Sequence, residues 1–208
     1  MMNMGNLKQP DTRTAPQFRV NFSSGFILLF AFIYFFDQSG FLSALLPAVL
    51  VHELGHVSAM RMFGAYPTKL NATLSGFALD YSGDLNERQE ILTAIAGPAF
   101  GFVFSILCAK TGTLRNNEYL LMCAGLGFIL NTFNLLPAKA LDGGRILYFA
   151  LMSAISAKFA QIAIHISGLL ISGLLIAAGL YCIAKNYGFS LFLAGIWLFI
   201  LQQNKSCK

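Results

Sequence analysis

The feature that most constrains this chain is a series of six apolar segments separated by short polar stretches. A helix that crosses a bilayer needs roughly 20 mostly apolar residues, because lipid offers no hydrogen-bond partner to exposed backbone. Hydrophobic residues make up 56% of the chain and charged residues only 11%, a balance that soluble domains rarely show. The sequence therefore predicts an all-α integral membrane protein with six transmembrane helices, at about 24–36, 41–63, 90–109, 118–155, 159–184 and 188–202.

The fourth of these segments is broken. Pro137 and the Asp-Gly-Gly-Arg run at 142–145 interrupt it, and apolar sequence resumes from Ile146 to about Ile155. A broken helix at membrane depth is tolerated only where it is buried in protein or lines a water-filled cavity. The break therefore predicts a cavity with a function.

Alternating apolar and polar residues mark two short segments beside the spans. Residues 68–81 alternate on both sides of a Ser75-Gly76 turn, which predicts a β-hairpin at the membrane surface. Residues 17–22 also alternate and are compatible with a strand before the first span. The predicted fold is thus a helical membrane domain with a short membrane-associated hairpin.

The distribution of basic residues predicts the orientation. With the N-terminus in the cytoplasm, nine Lys and Arg residues fall on that side and three, Lys110, Arg115 and Lys185, fall outside, as the positive-inside rule requires. Residues 1–23 are then a cytoplasmic tail, the C-terminus is also cytoplasmic, and residues 1–208 form a single integral-membrane domain with its core at 41–155. The basic residues form no stripe, so the predicted partner is the lipid bilayer and not nucleic acid.

His52, Glu53 and His56 form an H-E-x-x-H motif inside the second apolar segment. Helical residues four apart share a face, so both imidazoles can reach one ion, and this spacing is typical of zinc. Glu53 lies beside the ion, where it can act as the general base for a water molecule. An uncompensated glutamate inside a span costs about 2.5–3.5 kcal/mol, which favours function over packing.

A third ligand is needed, because catalytic zinc sites use three protein ligands. If Glu90 and Glu118 are taken as interfacial, the other carboxylates in or beside the spans are Asp37, in an outer turn, and Asp142, after the break. Asp142 is the better candidate, for one zinc ion per chain. Its alternative role is to cap a helix that starts at Gly143.

Three segments together resemble one family. "HELGH" at 52–56, "AGPAFG" at 96–101 and "NLLPAKALDGGR" at 134–145 are similar to the motifs of the site-2 protease family of intramembrane zinc metalloproteases. The resemblance is closest to the compact six-span branch that contains the sporulation protease acting on a membrane-tethered pro-sigma factor. It implies a protease of the bacterial cell membrane that cuts in or near a transmembrane segment of a membrane-anchored substrate. A membrane regulatory partner would replace the sensing modules of larger relatives.

The resemblance also assigns roles by motif. His52, His56 and Asp142 match the zinc ligands, and Glu53 matches the catalytic acid/base. Asn134 and Pro137 match an Asn-x-x-Pro element whose asparagine is implied to bind substrate or to steady developing negative charge during catalysis.

Gly97, Pro98 and Gly101 match a small-residue motif that would bring the third helix close to the site, and Gly97 and Pro98 are also predicted to contact the substrate. Ordinary helix packing is the alternative. A substrate must arrive in extended form, because a helix hides its carbonyl groups in its own hydrogen bonds. The predicted hairpin offers an edge, at Asn71 and Thr73, to which a substrate strand can add. Alternatively, the hairpin only covers the site.

Two rival functions compete with the enzyme. A metal-ion transporter or metal sensor also carries ionisable groups inside its spans, although a transporter would need several ligand sets along a path. A non-catalytic relative would bind membrane segments without cutting them. The presence of Glu53, which is not needed as a ligand, favours the protease.

Overall fold

The computed structural model describes residues 19–24, 28, 31, 34, 35, 37, 39–73 and 76–203. Within these residues the chain forms six helices and a three-stranded sheet. The helices are α1 (Phe41–Met62), α2 (Glu87–Arg115), α3 (Glu118–Asn134), α4 (Asp142–Ala154), α5 (Ala157–Ala184) and α6 (Ser190–Gln203). The strands are β1 (Arg19–Phe22), β2 (Tyr66–Thr73) and β3 (Gly76–Ser82).

The long helices confirm that the protein is an integral membrane protein built mainly from helices. α1, α2 and α5 contain 22, 29 and 28 residues and are long and apolar enough to cross a membrane. α6 is apolar but has 14 residues, and α3 and α4 have 17 and 13. Most residues of the predicted first span and of the predicted N-terminal tail lie outside the described residues. Six spans therefore stay a prediction, and the described part of the chain contains three candidates.

Side chains and backbone groups just before α1 and α2 explain where these helices begin. Both carboxylate oxygens of Asp37 accept backbone N–H groups, from Phe41 at 3.0 Å and Leu42 at 2.7 Å. The Leu42 bond is the main cause that lowers the pKa of Asp37, against the opposing effect of desolvation. At the start of α2, Asn86 and Gln89 form a reciprocal capping box.

The sheet contains one strand more than the predicted hairpin. β2 pairs with β3 in antiparallel fashion, as predicted, and residues 19–22 of the possible N-terminal strand pair with β2 in parallel. Asn71 therefore lies opposite both Asn21 and Ala78 in the central strand. The prediction that Asn71 lies on a free edge is wrong, because sequence alternation does not reveal which strand pairs with which. The unpaired edges of the described sheet belong to β1 and β3.

The predicted break in the fourth segment is present. α3 ends at Asn134, α4 begins at Asp142, and the connection between them is held by turn hydrogen bonds such as Leu141 N–H to Ala138 O, 2.9 Å. A Cβ on Gly143 would lie 2.0 Å from the carbonyl oxygen of Leu135, and one on Gly144 would lie 2.0 Å from that of Ala138. The two glycines thus let α4 begin directly against its own connection.

Helix packing places this break beside the H-E-x-x-H helix. α1, α2 and α3 contact one another around small buried residues that include Ala44, Cys108 and Cys123. α4 packs against α2 on one side and α5 on the other, and α5 packs against α6. The start of α4 is therefore held close to the middle of α1 by their shared neighbour α2.

Candidate metal centre

The structure brings three predicted ligand atoms together. Nε2 of His52 lies 3.2 Å from Nε2 of His56. Oδ2 of Asp142 lies 3.1 Å from the first of these nitrogens and 3.3 Å from the second. Both histidines are buried, and the Asp142 side chain is 16% exposed. The site therefore lies inside the helices but stays open on the side of the aspartate.

Hydrogen bonds fix the protonation of both rings. Nδ1 of His56 lies 2.8 Å from the carbonyl oxygen of Thr93, which can only accept, so this nitrogen carries the proton. Nδ1 of His52 lies 2.8 Å from Oδ1 of Asn131, whose amide donates to the carbonyl oxygen of Gly127. In neutral rings held this way, both Nε2 atoms present lone pairs to the centre.

This arrangement fits a zinc ion. Two nitrogen lone pairs and a carboxylate oxygen that face one another within 3.1–3.3 Å repel unless a proton or a metal cation lies between them. Zinc bonds of about 2.0–2.1 Å in a tetrahedron put neighbouring donor atoms about 3.3 Å apart, which matches the observed triangle. Two imidazoles and one carboxylate are also a ligand set of catalytic zinc sites, which leave a fourth position free.

The remaining predicted residues lie around this triangle. Asp142 is the first residue of α4, and the capping position belongs to Leu141, so the capping alternative for Asp142 is not supported. Glu53 is half-buried on α1 and lies within electrostatic reach of His52, His56 and Asp142. It is not a member of the group of three ligating side chains found among the described residues. Its position suits a base beside the ion.

The glycines of the Ala-Gly-Pro motif make room for the site. A Cβ on Gly97 would lie 2.2 Å from Nε2 of His56, and one on Gly101 would lie 2.1 Å from Oδ1 of Asn131. On the facing helix, a Cβ on Gly55 would lie 2.5 Å from the carbonyl oxygen of Ala96. These contacts are more specific than ordinary helix packing. Pro98 is fully buried, and substrate contacts by Gly97 and Pro98 stay predictions.

Asn131 is a site residue that the sequence reasoning missed. It is completely buried on α3 and orients His52. A buried amide within an apolar helix was the available signal, since polar groups inside a span are costly and usually functional. The predicted Asn134 is the last residue of α3, and Pro137 lies in the connection to α4; both are half-buried. Their predicted substrate roles are untested by this geometry.

A cavity opens next to the aspartate. It has a volume of about 710 Å³, and its polar lining includes Lys139, Asp142, Arg145, Tyr148, His165 and Gln202. His165, which sequence reasoning did not choose as a ligand, lies on this wall near Gln202. An extended peptide beside Asp142 would find hydrogen-bonding groups here, in a part of the protein otherwise formed by apolar helices.

Comparisons with known proteins find similarities in sequence and in fold. Residues 111–176 match peptidase family M50. A zinc metalloprotease of Methanocaldococcus jannaschii is 32% identical over 106 residues, which cover 48% of this chain and 31% of that protein. The chain thus spans about a third of the length of the curated relative that it matches.

A solved structure shares the fold. The site-2 protease from Methanocaldococcus jannaschii superposes with a TM-score of 0.70 over 91% of each chain, at 21% sequence identity. At that identity the likeness concerns the fold alone, while the matches in sequence concern the family. The chain is thus similar in sequence to peptidase family M50 over residues 111–176, and similar in fold to a site-2 protease.

Proposed function

We propose that this protein is a zinc-dependent endopeptidase that hydrolyses a peptide bond in or near the transmembrane segment of a membrane-anchored protein. The observation that carries the proposal is the convergence of the His52 and His56 Nε2 lone pairs with Oδ2 of Asp142. These three side chains would hold one zinc ion per chain. The match of residues 111–176 to peptidase family M50 and the zinc metalloprotease relative support the same function.

Each residue of the site has a defined task. Zinc bound there supplies a Lewis acid for the attacking water and the scissile carbonyl group. The Glu53 carboxylate takes a proton from that water as its oxygen bonds to the carbonyl carbon. The same carboxyl group then delivers the proton to the amide nitrogen as the carbon–nitrogen bond breaks. By its motif, the Asn134 amide would donate a hydrogen bond to the substrate.

Substrate access combines two features of the fold. The cavity beside Asp142 gives an extended segment room next to the ligands. The outer edge of β3 can pair with the backbone of a substrate strand, which keeps the segment from refolding into a helix. Because β1 covers β2, we assign this pairing to β3 and not to Asn71. By their motifs, Pro137 and the Gly97-Pro98 pair would also contribute to substrate binding.

The finer features of the protein belong to the same proposal. They are six spans with both termini in the cytoplasm, a bacterial cell membrane, membership of the sporulation branch, and control by a membrane partner. The basic-residue distribution and the motifs of the sequence support them. We also take residues 1–208 as one protease domain with its core at 41–155.

The experiment that tests the function is Glu53→Gln. We expect purified protein to keep one zinc per chain while cleavage of a membrane-tethered substrate falls about 10²–10⁴-fold, because the base is lost and the ligands remain. Glu87→Gln, at an exposed acid in the first turn of α2, is the matched control and should cut normally. Undiminished cleavage by Glu53→Gln would refute the assigned base.

A metal transporter is less well supported. Ion pathways need successive ligand sets, whereas the described residues contain a single group of three ligating side chains. Zinc uptake into vesicles that contain the protein would decide this alternative. Uptake without any proteolysis of tethered substrates would favour the transporter. A non-catalytic relative would bind such substrates without cutting them, and Glu53→Gln would make no difference to its behaviour.

A further inference from the structure

We propose that Glu90 and Arg145 are positioning residues, which form a partly buried ion pair that holds Asp142 in place for the metal. This inference rests on the zinc site of the proposed function. It concerns a polar cluster that lies beside the three ligands and includes none of them. The cluster joins α2, α4 and strand β3.

Glu90 has three hydrogen bonds and almost no contact with solvent. It is 6% exposed in the first turn of α2, although the sequence reasoning treated it as interfacial. Nε of Arg145 donates to its Oε2 at 3.0 Å, and a terminal guanidinium nitrogen donates to the same oxygen. The hydroxyl of Tyr81 donates to Oε1. Both carboxylate oxygens are therefore occupied, which fixes the side chain in one orientation.

Tyr81 completes the cluster on the side of the sheet. The Arg145 guanidinium lies 5.9 Å from the centre of its ring. Burial, with the hydrogen bond to Glu90 as the next cause, raises the pKa of Tyr81 to about 12. The phenol therefore stays protonated and keeps donating its hydrogen bond at any pH at which the protein works.

The ion pair acts on Asp142 through the first turn of α4. Arg145 lies three residues after Asp142 on this helix, so the guanidinium and the ligand carboxylate belong to one rigid turn. That turn has no side-chain cap among the described residues and follows an irregular connection. The link to Glu90 ties it to a long, continuous helix.

The same face of α2 serves the other ligands. The carbonyl oxygen of Thr93, one turn after Glu90, accepts a hydrogen bond from Nδ1 of His56. Gly97, one turn further, leaves space for the His56 ring. One face of α2 thus positions the His56 ring directly and the Asp142 carboxylate through Arg145. Such a shared support fixes the distance between ligands on two different helices, which neither helix can fix alone.

Zinc affinity in detergent, measured by competition with a chelator, tests the proposal without reference to cleavage. The double variant Glu90→Gln/Arg145→Gln removes both charges and so leaves no unpaired buried ion. We expect it to weaken zinc binding about 10–100-fold, the usual effect of removing a group that orients a ligand. Thermal unfolding of the metal-free protein checks that the variant folds.

The background variant Asp142→Ala separates positioning from general stability. If the pair acts through Asp142, the double substitution should change the residual zinc affinity of Asp142→Ala by less than about twofold. Unchanged affinity in the wild-type background, or equal weakening in both backgrounds, would overturn the positioning role. Wild-type protein that binds no zinc would overturn both this role and the proposed function, whereas zinc binding without cleavage would count only against the protease.

Discussion

The two histidines and the aspartate reach the metal centre from regions of different construction. His52 and His56 lie in the middle of α1, a continuous helix of 22 residues, and their spacing follows from its own geometry. Asp142 begins a helix of 13 residues after an irregular connection. The histidine region is preorganised by local structure, and the aspartate region depends on contacts between helices. Substitutions around each region should therefore have graded effects.

The largest effect is expected from Gly97→Ala, because the added methyl group would overlap the imidazole ring of His56 on α1. Its Cβ would lie 2.2 Å from Nε2 of His56 and 2.3 Å from Cε1, so the imidazole must leave its position. Gly125→Ala is the control, since a Cβ there meets nothing within 4 Å.

Stoichiometric zinc, measured by atomic absorption, should be lost in Gly97→Ala and kept in Gly125→Ala. Cleavage of the substrate should likewise be lost in Gly97→Ala and kept in Gly125→Ala. Full zinc occupancy in Gly97→Ala would mean that the ligand region of α1 adapts far more than its regular structure suggests.

A smaller loss is expected from Asn131→Ala, which removes the acceptor for Nδ1 of His52 and leaves the ring free to rotate. Groups that orient a metal-bound histidine typically contribute about 10–100-fold to metal affinity. Thr132→Ala changes an exposed neighbour on the same helix and serves as the control. The measurement is the zinc dissociation constant. Equal constants for both variants would show that α1 alone orients His52.

Tyr81→Phe examines the aspartate region from its far side. It deletes one hydrogen bond to Glu90 but leaves the ion pair with Arg145. We expect zinc affinity to fall about fivefold, the equivalent of about 1 kcal/mol for one hydrogen bond. Tyr66→Phe, at an exposed tyrosine in β2, should have no effect. A fall as large as that of the Glu90/Arg145 double variant would place the main support in the sheet and not in α2.

The smallest effect is expected from Asp37→Asn, at the beginning of α1. The folded protein lowers the pKa of Asp37 because backbone N–H groups donate to its charged form. Its contribution to stability is therefore present above the ordinary pKa of 3.8 and is lost as the pH falls through the lower folded value. Thermal unfolding should show a small deficit for Asp37→Asn at neutral pH that narrows below about pH 3.8, with zinc affinity unchanged. Weaker zinc binding would show that the histidine spacing depends on how α1 begins.

The sequence reasoning succeeded where the structure is local and failed where strands and helices choose partners. Helical spacing in H-E-x-x-H predicted the facing imidazoles, and Pro137 with the glycine pair predicted the broken segment. The resemblance to the site-2 protease family was recognised from three motifs, and the comparisons bear it out as a similarity in sequence and in fold. The pairing of β1 with β2 was not predictable, since an alternating segment carries no signal for its neighbour. The partners of Asn131 and Glu90 were not predictable either, because His52 and Arg145 lie on other helices, far away along the chain.

By itself, the sequence determined that the chain enters a membrane and that one helix presents two histidines on a single face, because apolar content and a period of 3.6 residues act within one segment. Only the tertiary structure decided that Asp142 meets those histidines within 3.3 Å and that Glu90 is buried against Arg145. Distances between segments far apart in the chain depend on packing, and packing reflects the shapes of all the helices together.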